Sequence, residues 1–395
     1  MPDMTTAVLD FPAGSLILSR PGTDDPNLRA WSAADELLLQ EAYILMEAAP
    51  DTRVLVVDDQ YGALTLGLSR FAPDVVADGA QLNDALAVNA RQNRGTVAPE
   101  QIYSWLQPPV GAYDLILLRV PRAADYLAWL LRWANGALKP DGIILAAGMI
   151  KHLPDRSVDV FAGVVEVQNV SRAVKKARMM TCGRGEATLD GWPGTWKGYG
   201  LELELQSRLA GGLEHRDVRV DAMPAVFARE KLDIGTRLML PHLKSVLKPC
   251  APDALVLDLA CGNGVLGLSA LAVQPDIEMI FSDVSSQAIL SAQRNAEAAF
   301  PDAKTLFMHA DGICGDKSPF ELILLNPPFH EGGVVGDDIA LRLFEQASQS
   351  LSETGRLIMV GNRHLGYHRS LQRFFPHVRQ LDASPKFVVF EAWRG

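Results

Sequence analysis

Residues 254–268 read ALVLDLACGNGVLGL, and residues 54–68 read VLVVDDQYGALTLGL. Each is an apolar run of strand formers, an acidic and glycine-bearing turn, and then a leucine-rich helical pattern. At one constant offset (258 − 58 = 200) Asp58 falls on Asp258, Gly62 on Gly262 and Gly67 on Gly267. The match continues in order: VVADGAQLNDALAVNARQN overlays IFSDVSSQAILSAQRNAE with Asp78 on Asp283, YDLILLRVPR overlays FELILLNPPF, and LKPDGIILAAG overlays LSETGRLIMVG. Four ordered matches predict an internal duplication. Short apolar runs alternating with helical patterns predict βαβ units on parallel sheets, so the expected fold class is α/β with two tandem Rossmann-like domains.

In the second half the predicted strands are residues 254–260, 278–283, 305–311, 321–326 and 356–362, with a closing strand over 386–393. The halves differ where chemistry would sit. In this overlay Leu64 stands opposite Gly264, Arg119 opposite Asn326 and Arg122 opposite Phe329, so the first copy reads as degenerate. A fold kept without its site suggests a scaffold or binding role. The turn-rich stretch GRGEATLDGWPGTWKGYG (183–200) marks a boundary. The expected division is a domain over 1–190, a linker over 191–225 and a second domain over 226–395.

Composition excludes several classes. With 395 residues, 48% hydrophobic and 21% charged, the chain is that of a globular protein of two domains. No apolar stretch approaches the roughly 18 residues of a membrane span, and Asp3 stands where a signal peptide carries a cation. Cys182, Cys250, Cys261 and Cys314 have no CxxC spacing, which argues against a zinc site or a disulfide framework and fits a cytoplasmic location. A net charge of -10 runs against nucleic-acid binding, yet two segments are locally basic. One carries Arg172, Lys175, Lys176, Arg178 and Arg184 without an acid. The other carries Arg363, Arg369, Arg373 and Arg379 with three histidines. Either is a solvated face or a phosphate contact.

In DLACGNG (258–264), Gly262 and Gly264 flank Asn263 at a strand-to-helix turn and permit close approach of a ligand to the backbone. The spacing also satisfies the dinucleotide fingerprint, but Asp258 would repel a pyrophosphate and suits an ammonium group. Asp283 ends the next strand, where a carboxylate accepts from ribose hydroxyls or caps a helix. Asp311 ends the third and could accept from an adenine amine or close a turn. Together they describe a carrier with ribose, adenine and an amino-acid tail, which S-adenosyl-L-methionine fits.

With NPPF (326–329) after the fourth strand, the chain resembles the class I S-adenosylmethionine-dependent amino methyltransferases. The duplication, LDIGTRLML (232–240), NPPFH, NRHLGYH and the closing KFVV are similar to the bacterial ribosomal RNA guanine-N2 methyltransferases. The likeness is greatest to their large-subunit (23S) G family, with the small-subunit (16S) enzymes as near relatives. Ala260 and Thr236 depart from the common pattern, where Gly and Ser are frequent. The resemblance implies a monomeric, cytoplasmic enzyme that uses S-adenosyl-L-methionine to methylate ribosomal RNA. Asn326 and the Pro327 carbonyl would then accept the two amine hydrogens of a flipped guanine, and Phe329 would stack on it. His330 would contact RNA or pack in the loop. Arg119, Arg122, Lys175, Lys176, Arg178 and Arg363 are candidate RNA contacts. Adenine-N6 DNA methyltransferases and glutamine methyltransferases acting on release factors share the NPP signature but usually carry Tyr where Phe329 stands and lack the duplicated half. A non-catalytic RNA-binding or nucleotide-sensing module is the alternative from another class.

Overall fold

The computed structural model describes residues 7–23, 28–153, 157–206, 213–315, 319–328, 330–331, 334–335 and 337–395. The chain divides into two compact units, Met1–Thr195 and Trp196–Gly395.

The first unit opens with a hairpin, β1 (Ala7–Phe11) and β2 (Gly14–Leu18), followed by α1 (Ala33–Ala48). Then come β3 (Val54–Val57), α2 (Ala63–Gly67), β4 (Asp74–Val76), α3 (Gln81–Gln92) and β5 (Tyr113–Arg119). The unit closes with α4 (Ala124–Ala137), β6 (Leu138–Met149), α5 (Ser157–Ala162), β7 (Glu166–Val170) and β8 (Ala177–Gly183). Its six-stranded sheet has the order β4-β3-β5-β6-β8-β7, parallel up to β6 and antiparallel beyond it.

The second unit also opens with a hairpin, β9 (Lys197–Gln206) and β10 (Leu213–Ala222), and continues through α6 (Ile234–Met239), α7 (Leu243–Leu247), β11 (Leu255–Leu259) and α8 (Val265–Val273). Next are β12 (Glu278–Asp283), α9 (Ser286–Ala299), β13 (Lys304–His309), β14 (Phe320–Leu325) and the short pair β15 (His330–Glu331) and β16 (Val334–Val335). Last come α10 (Asp337–Ser350), β17 (Leu351–Asn362), α11 (Tyr367–Leu371), β18 (His377–Ala383) and β19 (Phe387–Trp393). The seven-stranded sheet runs β13-β12-β11-β14-β17-β19-β18, parallel up to β17, with β19 paired antiparallel to both β17 and β18. Its central strands are covered on both faces, as a parallel sheet requires: Val256, Leu257, Ile280, Leu322 and Ile323 are all buried.

All six predicted strands of the second half are present. The stretch 191–225, expected as a linker, instead holds the β9–β10 hairpin, whose ten register pairs run from Leu213 opposite Gln206 to Ala222 opposite Lys197. One stripe of α9 fastens the end of that hairpin. Asn295 Oδ1 accepts from the Asp221 N–H at 2.9 Å, Ser291 Oγ from the Met223 N–H at 3.0 Å, and Gln287 Oε1 from the Ala225 N–H at 2.8 Å. These residues are four apart, so they lie on one helix face, and each satisfies a backbone donor whose burial unpaired would cost about 1–3 kcal/mol. Asn89 makes the corresponding contacts in the first unit, accepting from the Ser19 N–H at 2.9 Å and donating to the Ser19 and Tyr61 carbonyls.

Candidate active site

The β11–α8 turn sets the floor of the site. Ala260 and Gly262 take left-handed conformations (φ +57° and +56°), and Gly264, at φ +81°, caps α8. A Cβ on Gly264 would meet Ala292 at 3.0 Å and Phe281 at 3.2 Å, so this glycine lets α8 pack against its neighbours. A Cβ on Gly262 would meet nothing within 4 Å. Gly262 faces open space in a cavity of about 520 Å³, the size of a small-molecule site. Asp283, at the tip of β12, accepts the Gly262 N–H on Oδ2 and the Ser285 N–H on Oδ1, both at 2.9 Å. Ser285, not Asp283, caps α9 through its hydroxyl. Asp283 is thus a cavity-lining carboxylate fixed by two backbone donors. Asn263 lies beside it, its Nδ2 donating to the Tyr199 hydroxyl at 3.3 Å and its carbonyl accepting from Asn295 Nδ2 at 3.0 Å.

Two predicted ligands sit elsewhere. Asp258 is 1% exposed, and its Oδ2 accepts the Gly267 N–H at 2.9 Å, so it braces the first turn of α8 from beneath instead of lining the cavity. Burial pushes its carboxyl well above the usual range, the Gly267 N–H opposing and Asp283 adding to the rise. Asp311 is held by Arg342, with Nη2 on Oδ1 at 2.6 Å and Nη1 on the carbonyl at 3.0 Å, and is also absent from the cavity wall.

Asn326 follows directly on β14. Its Nδ2 donates to Thr236 Oγ1 at 2.9 Å and to Asp233 Oδ2 at 3.2 Å, which fixes the amide orientation. Asp233 caps α6 by accepting the Thr236 N–H at 2.9 Å, and so holds Thr236 in place. The Asn326 Oδ1 is left buried with no partner among the described residues. A buried unpaired acceptor costs about 1–3 kcal/mol, a cost relieved by a donor arriving in the cavity. Pro327 is buried beside it and Pro328 is exposed, and both line the cavity. Phe329 lies outside the described residues.

Tyr199, Phe227, Asp233 and Thr236 also line the cavity, and none was singled out as a site residue from sequence. Asp233 carried a signal, since an aspartate opening a helical pattern is an N-cap that aims the first turn. A larger open groove of about 810 Å³ between β10 and α9 contains none of the predicted ligands. Its Arg216, Arg219 and Arg294 are balanced by Asp217, Asp221 and Glu297, so it carries no net basic charge.

In the first unit the left-handed caps revise the overlay. Gly62 caps α2 at φ +90° as Gly264 caps α8, and Asp58 matches Ala260 in its positive φ, so these turns correspond at an offset of 202 (264 − 62), not 200. The residue opposite Gly262 is therefore Gln60, and Gly264 has a glycine partner after all. Arg119 at the tip of β5 places Nε 2.9 Å from Asp35 Oδ1, and Asp35 is fully buried. The ion pair engages Arg119 within the unit, with Asp35. Burial raises the Asp35 pKa and Arg119 opposes the rise. Arg122 and Lys176 are exposed, and Arg178 is half-buried on β8. Lys175 reaches Glu36 Oε2 at 2.6 Å. Lys175 and Lys176, at φ +48° and +64°, form a two-residue turn closed by reciprocal Val174 and Ala177 backbone bonds. Arg363 is exposed and follows Asn362, a residue of the cavity wall.

A central strand leading into a glycine-bearing turn, an acid at the tip of the next strand and Asn-Pro-Pro after the fourth, on a seven-stranded sheet of this order, define a class I methyltransferase. Residues 217–391 match the methyltransferase small domain and residues 6–186 match the RLMG N-terminal domain. The ribosomal RNA large subunit methyltransferase G of Pseudomonas putida (strain GB-1) is 38% identical over 99% of this chain and 100% of its own length. That of Alcanivorax borkumensis is 37% identical over 97% and 95%. The chain belongs to the ribosomal RNA large subunit methyltransferase G family. Its fold is shared by the T. thermophilus 16S rRNA N2 methyltransferase RsmC, solved with AdoMet and guanosine, at a TM-score of 0.74 and 22% identity over 99% of this chain and 98% of that one.

Proposed function

We propose that this chain methylates the exocyclic N2 amine of a guanine in large-subunit (23S) ribosomal RNA, using S-adenosyl-L-methionine held in the second unit. The observation that carries the chemistry is the Asn326 amide, whose nitrogen is tied to Thr236 and Asp233 while its oxygen is buried with no partner among the described residues. An exocyclic amine is a poor nucleophile because its lone pair is delocalised into the ring. Accepting its two hydrogens on Asn326 Oδ1 and the Pro327 carbonyl turns that lone pair out of conjugation, a gain from orientation and not from a strong base. The prolines keep the carbonyl fixed, since neither offers a backbone donor. The residues present fit the cofactor: Gly262 leaves free the space a Cβ would fill, Asp283 offers acceptor lone pairs suited to ribose hydroxyls, and Asn263 lines the same wall. When bound, S-adenosyl-L-methionine supplies an electrophilic methyl on a sulfonium. The names of the family's members support the 23S substrate, and the titled substrate of the T. thermophilus neighbour supports guanine N2.

The first unit is read as a degenerate tandem copy of the second. Both open with a hairpin fastened to a helix by an asparagine (Asn89 or Asn295), and β6 and β17 bury the same positions along 12 residues each. Asp35 and Thr236 are both third residues of their helices, facing Arg119 and Asn326, so an ion pair stands where the catalytic amide contact would be. Its role is RNA positioning by a monomeric cytoplasmic enzyme, through the exposed Arg122 and the Lys175–Lys176 turn. Two lysines hold left-handed positions where glycine or asparagine costs least, so the sequence keeps charge there at the expense of backbone strain.

The decisive experiment offers labelled S-adenosylmethionine with 23S RNA, 16S RNA, DNA or release factor, and maps the product by primer extension. Asn326→Ala should lose at least about a hundredfold in rate with cofactor affinity retained. A variant keeping half the normal rate would make the amide structural.

A further inference from the structure

We infer that Phe227 is the outer face of the slot that receives the target base, a stacking contact for RNA supplied by the segment between β10 and α6. The ring lines the same cavity as Asn326 and Pro327, yet is 63% exposed. It therefore stands at the mouth, while Asn263, at 3% exposed, and Cys261, at 6%, form the inner wall where the cofactor would lie. An exposed phenylalanine is unremarkable by itself. Here the backbone is built to hold it out. The Ala225 N–H is fixed to Gln287 and the Met223 N–H to Ser291, and buried Arg229 donates from Nε to the Ala222 carbonyl at 3.0 Å. Ala228, the next residue, takes φ +53°, a conformation that L-residues rarely adopt and that concentrates at ligand clamps. A pinned, strained segment that directs an aromatic ring toward solvent, beside a buried amide acceptor with no partner among the described residues, suits a flat ring arriving from outside. A flipped nucleobase is such a ring.

Resting on the methyltransferase reading above, the test uses the full chain and 23S RNA, beginning with wild-type turnover. Failure of the wild type to methylate 23S RNA sinks that reading, and the base-capture role with it. Given wild-type activity, Phe227→Ala should lower kcat/KM for RNA roughly 5- to 150-fold, the range for a lost base stack. Cofactor affinity by calorimetry and the melting temperature should stay unchanged, and Phe227→Trp should restore kcat/KM. Unchanged kcat/KM in Phe227→Ala, or a loss of cofactor affinity large enough to account for the fall, would overturn the base-capture role.

Discussion

Replacing Thr236 with valine removes one hydroxyl and keeps the shape, which isolates the device that orients Asn326. Thr236 is 3% exposed, and its Oγ1 is the nearer of two acceptors for Asn326 Nδ2, 2.9 Å against 3.2 Å for Asp233. Valine leaves the amide on Asp233 alone and free to swing or flip, which would direct its nitrogen at the substrate amine. The lost bond and the partly unsatisfied donor are worth about 1–3 kcal/mol. If that falls mainly on the transition state, kcat drops roughly 5- to 150-fold at 25 °C. Cofactor affinity should move less than about twofold, because Gly262, Asn263 and Asp283 lie on other elements. Thr236→Ser keeps the hydroxyl and should recover most of the rate. The assay is methyl transfer under saturating RNA and cofactor, with calorimetric cofactor binding alongside. Unchanged kcat in the valine variant would show that the Thr236 contact does not orient the amide. A loss confined to cofactor affinity would place Thr236 in cofactor binding.

Asp58 in the first unit has its carboxyl pushed from 3.8 up to about 7, first by burial and then by Asp78. Below about pH 4 both folded and unfolded chains carry the proton. From there to pH 7 only the folded chain does, so stability falls as pH rises through that window, by at most roughly 4 kcal/mol and by less for a half-buried group. Asp58→Asn should be neutral near pH 4 and raise the melting temperature above pH 7, and a gain only at low pH would refute the assignment. Glu391, with its side chain 3% exposed, pairs with Arg356 at 3.0 Å and with Arg379. Glu391→Gln strands Arg356 and should cost roughly 3 kcal/mol. Calorimetry would read this as a fall of about 6–12 °C in the second unit's transition. Arg379→Gln removes a guanidinium that is 62% exposed and should cost under about 1 kcal/mol. Arg122→Ala with Lys176→Ala should weaken RNA binding and make its salt slope shallower by roughly one unit per lost phosphate contact. An unchanged slope would assign both residues to a solvated face.

What sequence made legible here follows from the range of each interaction. The strands from β11 to β19 that carry long apolar runs are readable, because a strand covered on both faces is apolar at nearly every position. The β9–β10 hairpin was not recognised, although Leu201 and Leu203 alternate with Glu202 and Glu204. Its flanking glycines read as punctuation, and what makes it a structural element is the Gln287, Ser291 and Asn295 stripe some 70 residues away. Asn326 was legible from its prolines, whereas the orientation of its amide depends on Thr236 and Asp233, 90 and 93 residues earlier. Identity favours the overlay of 200 over the turn register of 202 that the backbone angles favour, because Asp and Gly recur in both turns, and only φ distinguishes the glycine that caps the helix from the one that faces the cavity. Asp311 adds a contact of the same kind: its pairing with Arg342, 31 residues on, is invisible in the local motif. Motif residues thus name the chemistry locally, and their competence is set by distant partners. For that reason Asp233 and Thr236, which touch neither the glycine turn nor the proline tip in sequence, are the positions where substitution most directly separates a built active site from an inherited motif.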